Sequence, residues 1–130
     1  MSSHYDNPLT VTYSFLNDFG AGDELLALKA PAGLTRGRIR EVGVAVKETF
    51  NGVTTNAFIR IGTATDADAY VEMDMAAAAD TNYYNTLDDT DAIINADIPS
   101  ATQVEVALIA PTGGTPAGIG VVSVVIDWFG

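Results

Sequence analysis

Between Val42 and Ile61 nearly every second residue is apolar, and the alternation is broken at its middle by Asn51-Gly52. A period of two is the side-chain repeat of a β-strand. Asn-Gly is the preferred pair for a two-residue type I′ turn, because both central residues need φ > 0. Together they predict an antiparallel hairpin whose turn fixes the register. Phe50 faces Val53, Glu48 faces Thr55, Val46 faces Ala57, Val44 faces Ile59 and Val42 faces Ile61, on one almost wholly apolar side. The other side pairs Thr49 with Thr54, Lys47 with Asn56, Ala45 with Phe58 and Gly43 with Arg60, and is mostly polar. A slip of one residue would exchange the two sides. Ile39 falls on the polar side. A β-bulge near Arg40-Glu41 would turn it inward; otherwise it is exposed or packs against a neighbour.

Strand patterns continue through the chain. Leu9, Val11, Tyr13 and Phe15 alternate with Thr10, Thr12 and Ser14, and a turn-prone stretch follows from Asn17 to Asp23. Glu24 to Lys29 reads as a short strand or one helical turn, stopped by Pro31 and Gly33. Further strands are expected at Tyr70 to Met73, Ala92 to Ile98 and Gln103 to Ala110. Ala76 to Ala79 favours helix but is too short to hold one alone. Residues 80–91 read as a polar loop, and Pro111 to Pro116 as a tight one. Val121 to Phe129 is apolar on both faces, as suits a central strand or one covered by a second subunit. Seven or eight short strands without a long amphipathic helix predict an all-β fold: a single antiparallel β-sandwich or barrel, jelly-roll-like. No linker divides the chain, so residues 1–130 are expected to form one domain, with 1–8 as an N-terminal arm or tail.

Charge narrows the function. The net charge is −11. Residues 1–60 carry six acids and six bases, whereas residues 61–130 carry eleven acids and no Lys or Arg. That balance opposes contact with phosphate backbones and anionic membranes, so neither nucleic acid nor membrane is an expected partner. The acidic half is expected to face solvent and the neutral half to meet a partner. Met1 to Thr10 lacks the apolar core of a signal peptide, and no apolar run approaches the ~20 residues of a bilayer span. Synthesis in a cytoplasm is expected.

Catalytic constellations are sparse. There is no Cys, and the one His is His4, in the polar N-terminal segment; a triad needs an imidazole held on rigid structure. A carboxylate pair of glycosidase type carries no information where acids are so many. Asp66-x-Asp68 and Asp88-Asp89-x-Asp91 would offer calcium oxygen ligands, but neither completes an EF-hand pattern. The reading is a non-enzyme without cofactor. Arg36, Arg38 and Arg40 recur at period two, so an extended backbone aims all three the same way, as a row of carboxylate-binding forks. The expected partner is the acidic half of another copy. Trp128 and Phe129 are candidate interface anchors, with core packing as their other reading.

Several phrases, taken in order, resemble a known family. They are Gly37-Arg38-Ile39 before Val42-Gly43-Val44, Glu48-Thr49-Phe50-Asn51-Gly52, Arg60-Ile61-Gly62-Thr63, Asp97-Ile98-Pro99, Gln103-Val104-Glu105-Val106, Ala110 to Pro116, and Val125-Ile126-Asp127-Trp128-Phe129. Over about residues 36–129 the chain resembles the capsid decoration, or cement, proteins of tailed bacteriophages. The resemblance implies a virion structural protein on the capsid surface that binds the major capsid protein, forms a homotrimer and clamps neighbouring capsomers. The rival reading is a lectin-like module of a head or tail fibre, with Tyr83-Tyr84-Asn85 as its glycan-stacking candidate.

Overall fold

A computed structural model describes residues 8–76, 83–87, 89–100 and 102–130. The N-terminal arm up to Asn7, with His4, and the expected features at Ala77–Ala79 and Asp88 lie outside the described residues. Among the described residues nine strands occur in chain order: β1 (Leu9–Asp18), β2 (Glu24–Leu28), β3 (Arg36–Asn51), β4 (Phe58–Gly62), β5 (Val71–Asp74), β6 (Tyr83–Asn85), β7 (Asp97–Ile98), β8 (Val104–Ile109) and β9 (Ala117–Phe129). A 3-10 turn, Phe19–Ala21, follows β1. Among the described residues no helix is long and apolar enough to cross a membrane.

The strands form an all-β sandwich of two antiparallel sheets. One runs β1-β9-β3-β6, with β7 also on β3, and the other runs β2-β8-β4-β5. The pairs are nested along the chain: β1 with β9, β2 with β8, β3 with β6 and β7, and β4 with β5. The core lies between the sheets. Val42, Val44, Val122, Val124, Ile126 and Trp128 come from one side, and Ile59, Ile61, Val71, Met73, Val104, Val106 and Leu108 from the other, all at 2% exposure or less. β9 is central, between β1 and β3; its inward residues are buried, while its outward apolar residues Ile119, Val121, Val125 and Phe129 are half-buried.

The bulge expected near Arg40-Glu41 is present. Ile39 pairs with Ile126 but Glu41 with Val125, so Arg40 is the extra residue. The odd positions Gly37 and Ile39 face inward before it, and the even positions Val42 and Val44 after it. One extra residue thus reconciles an arginine row on the outside with an apolar row on the inside.

The Asn51-Gly52 hairpin is not formed. β3 and β4 belong to different sheets, β3 bonding to β9 and β4 to β8. Val44 and Ile59 do face one another's layer, but across the sandwich rather than along a ladder. Gly52 does not take the left-handed conformation; that role falls to Gly113 and Gly114, with φ of 85° and 67°. The 52–57 connection is held by the 111–115 loop instead. Thr54 N–H donates to the Thr112 carbonyl at 2.9 Å, Thr112 N–H to Thr55 at 3.1 Å, and the two threonine hydroxyls lie 2.6 Å apart. Gly52 is required there for proximity, since a Cβ would lie 2.6 Å from Cβ of Pro111. NMR should therefore show backbone contacts from Val44 to Val122 and from Ile59 to Leu108. A continuous ladder between 42–50 and 53–61 would contradict this fold.

One side-chain linkage ties the sheets together at the β1 edge. Trp128 Nε1 donates to the Tyr13 hydroxyl at 3.0 Å, and that hydroxyl donates to the Lys29 carbonyl just beyond β2 at 2.7 Å. Tyr13→Phe removes both bonds and is expected to cost about 1–3 kcal/mol in urea unfolding, because a half-buried donor and acceptor are left unpaired. Burial also raises the Tyr13 pKa above its ordinary 10.0, partly offset by the bond from Trp128, and burial raises that of Tyr70. A raised phenol pKa means the folded state holds its proton longer. The stabilisation is complete below pH 10.0 and lost as pH rises through the folded-state values. Stability should accordingly fall in alkali, and less steeply in Tyr13→Phe.

Candidate interaction surface

The outer face of the β1-β9-β3 sheet follows from register. Thr10, Thr12, Ser14 and Leu16 of β1 lie beside Asp127, Val125, Ser123 and Val121 of β9, which lie beside Arg38, Glu41, Gly43 and Ala45 of β3. The face is graded. Its Leu16 end is apolar, and its Asp127 end is polar and closely cross-linked. Thr10 Oγ1 donates to Asp127, Ser14 and Ser123 hydroxyls are 3.3 Å apart, and Arg40 lies 3.5 Å from Asp127. Tyr83 lies across Gly43, where a Cβ would meet its ring, and donates from its hydroxyl to Glu41 at 3.0 Å.

All three arginines stand exposed on this face, as their spacing predicts. Arg38 pairs with Asp97 at 3.6 Å and Arg40 with Asp127, while the Arg36 guanidinium lies 5.3 Å from the centre of the Phe129 ring. Carboxylates of the same chain therefore reach two of the forks expected to meet another copy. Around Arg36, Arg38, Pro99 and Phe129 an open cleft of about 390 Å³ runs along the end of β3. Phe129 is half-buried beside it. Trp128 is not at the surface: its indole is 2% exposed and faces the core, which corrects its reading as an exposed anchor. Adjacent residues of a strand point to opposite sides, so Trp128 and Phe129 cannot share one interface.

The charge asymmetry of the sequence does not become two faces. β1 and β3 of the neutral half alternate with β9 and β6 of the acidic half, and β2 and β4 with β8 and β5. The expected division into an outward acidic side and a docking neutral side is corrected accordingly. Of the glycan candidates, Tyr84 is buried and Asn85 half-buried. Only Tyr83 presents substantial surface, 47%.

On the other sheet, Arg60 bonds Glu72 across strands at 3.0 Å and covers Phe58. In the loop beside them the Asp66 carboxyl is pushed above the ordinary carboxylate range, chiefly by its hydrogen bond with Asp68. Asp68 is held below that range, chiefly by the same bond and then by one with Glu72. Among the described residues no group of three or more His, Asp or Glu is placed to hold a metal ion.

No protein-family model matches the chain, and no curated protein matches it. Among solved structures, it is similar to a chain in the acidic stable capsid structure of Helicobacter pylori bacteriophage KHP30. The TM-score is 0.50 at 14% sequence identity, and the match covers 92% of each chain. At that identity the shared property is the fold, over nearly the full length of both chains.

Proposed function

We propose that this protein is a structural component of a tailed-phage virion: a cement protein seated on the major capsid protein at the head surface. The observation that carries the reading is the end-to-end likeness to a chain of a phage capsid structure. Two features support it. The nested pairing β1·β9, β2·β8, β3·β6 and β4·β5 supports reading the sandwich as a double-sheet jelly roll, an architecture used by viral capsid domains. Along β1 and β9 the outer sheet face carries mainly short side chains: Thr10, Thr12, Ser14, Val121, Ser123 and Val125. The same architecture hosts lectins, but the Tyr83-Tyr84-Asn85 segment does not present adjacent rings as a stacking platform. The action is mechanical. A ligand that binds the assembled lattice stabilises that lattice by mass action.

Purified protein added to expanded heads should bind up to a fixed number of copies per head, and should not bind free DNA. Loaded heads should survive heating and chelation of divalent ions better than bare heads. Absence of binding to any head, together with tight binding to a glycan array, would transfer the case to the lectin-like reading.

Replacing Arg36, Arg38 and Arg40 together by Ser should weaken head binding, most at low salt, where charge pairs are least screened. The fold should remain, because exposed ion pairs such as Arg38–Asp97 contribute only about 0–1 kcal/mol each. Unfolding of the triple variant would instead mark the arginines as structural.

A further inference from the structure

The four sheet edges are finished differently. β5 is four residues long, and residues 92–95 close its free side through Glu72 N–H to Ala92 and Ile94 N–H to Tyr70. β3 is flanked on its outer side by the three-residue β6 and the two-residue β7. β2 is five residues long, begins at a charged Glu24 and is soon followed by Pro31. Among the described residues β1 has none of these protections. It runs ten residues in unbroken register with β9, without Pro, Gly or bulge, and without charge before Asp18. No backbone hydrogen bond outside the β9 ladder joins Leu9–Asn17 to another described residue. In an antiparallel edge strand about half the N–H and C=O groups point away from the ladder, a template for another strand.

We propose that β1 is a strand-addition edge whose occupant is β1 of a second copy, the two strands antiparallel about a twofold axis through the joined sheet. An incoming strand must be apolar on the core side, to lie beside Val11, Tyr13 and Phe15, and short and hydroxylated on the outer side, beside Thr10, Thr12 and Ser14. β1 itself has that pattern. A twofold axis perpendicular to the sheet keeps outer residues opposite outer ones, so the match is self-complementary. Charge selects the same contact. Copies of net charge −11 repel, and a strand uncharged from Leu9 to Asn17 lets them approach without placing like charges opposite. Leu9 and Leu16, 52% and 71% exposed, stand near the two ends of the strand, where the partner would cover them. This contact does not depend on the capsid reading. It is twofold, and so distinct from the threefold ring implied by the family resemblance.

The test is sedimentation of the free protein with amide hydrogen exchange along β1, for wild type, Thr12→Lys and Thr12→Asp. Thr12 is exposed on the edge strand, so the substitutions should leave thermal unfolding of dilute protein unchanged. Wild type should reach twice the 13.6 kDa chain mass as concentration rises, with alternate β1 amides gaining protection in parallel. Each variant alone should dimerise about tenfold or more weakly, through like charges facing each other, and an equimolar mixture of the two should recover dimer. Three results would overturn the proposal: a monomer at every soluble concentration, β1 protection independent of concentration, or an oligomer indifferent to both substitutions.

Discussion

The structure depends on β9. It is hydrogen-bonded on both sides, to β1 from Leu9↔Trp128 to Asp18↔Ile119 and to β3 from Arg36↔Phe129 to Asn51↔Ala117. Without it β1 and β3 have no common ladder, and the outer sheet separates into edges. Its inward row of Val122, Val124, Ile126 and Trp128 supplies one wall of the core. Where that row gives way to Gly118 and Gly120, the space is taken by Phe50 and Val44, whose side chains lie within 3 Å of where a Cβ would stand. Phe50 in turn meets Phe19 edge-on, with ring centres 4.9 Å apart, and so anchors the turn that leaves β1. The C-terminal strand therefore completes a fold that the N-terminal strand cannot hold alone.

What the sequence made legible is what strand parity controls. Period-two alternation placed Val42, Val44, Ile59, Ile61, Val104, Val106 and Leu108 in the core, and the misfit of Ile39 located the bulge at Arg40. Pairing was less legible. Alternation states which side of a strand is apolar, but two strands facing each other across a sandwich satisfy it as well as two strands in a ladder. Asn51-Gly52 then decided wrongly, because the tertiary bonds of Thr54 and Thr55 to Thr112 outweigh a local turn preference. β6 was missed because three residues in a run of Asn, Asp and Tyr carry no periodic signal; β3 supplies its ladder. At the candidate surface, spacing alone aligned the arginines. Their partners Asp97 and Asp127 lie far along the chain, and only the nested pairing brings them near.

That nesting also explains why a chain so uneven in charge does not fold into a polarised particle. Strands from the neutral and acidic halves alternate within each sheet, so Asp127 and Asp97 neutralise arginines of β3, and Glu72 meets Arg60 across the other sheet. The remaining described carboxylates are divided between strands (Asp18, Glu24, Glu41, Glu48, Asp74 and Glu105) and connections (Asp23, Asp66, Asp68, Asp89 and Asp91). The sheet of β1, β9, β3, β6 and β7 is close to balanced, with Asp18, Glu41, Glu48, Asp97 and Asp127 against Arg36, Arg38, Arg40 and Lys47, whereas the other sheet sets Glu24, Glu72, Asp74 and Glu105 against Arg60 alone.

The part of the outer face formed by Thr10, Thr12, Ser14, Val121, Ser123, Val125, Gly43 and Ala45 has a consequence for binding. Ordering a long Lys, Arg or Glu side chain at an interface costs up to about 2 kcal/mol of rotamer entropy, whereas Gly and Ala cost none. β-branched Val and Thr are already restricted at χ1. Burying Val121, Val125, Ala45, Thr10 and Thr12 against a flat partner therefore sacrifices little side-chain freedom. The arginines at the far end are partly held in place by Asp97, Asp127 and Phe129 before any partner arrives. Preorganisation of this kind favours lasting static contact. On this face Asp127 already accepts from Thr10 and faces Arg40, and Glu41 accepts from Tyr83. These polar groups of the face are paired with one another before any partner arrives.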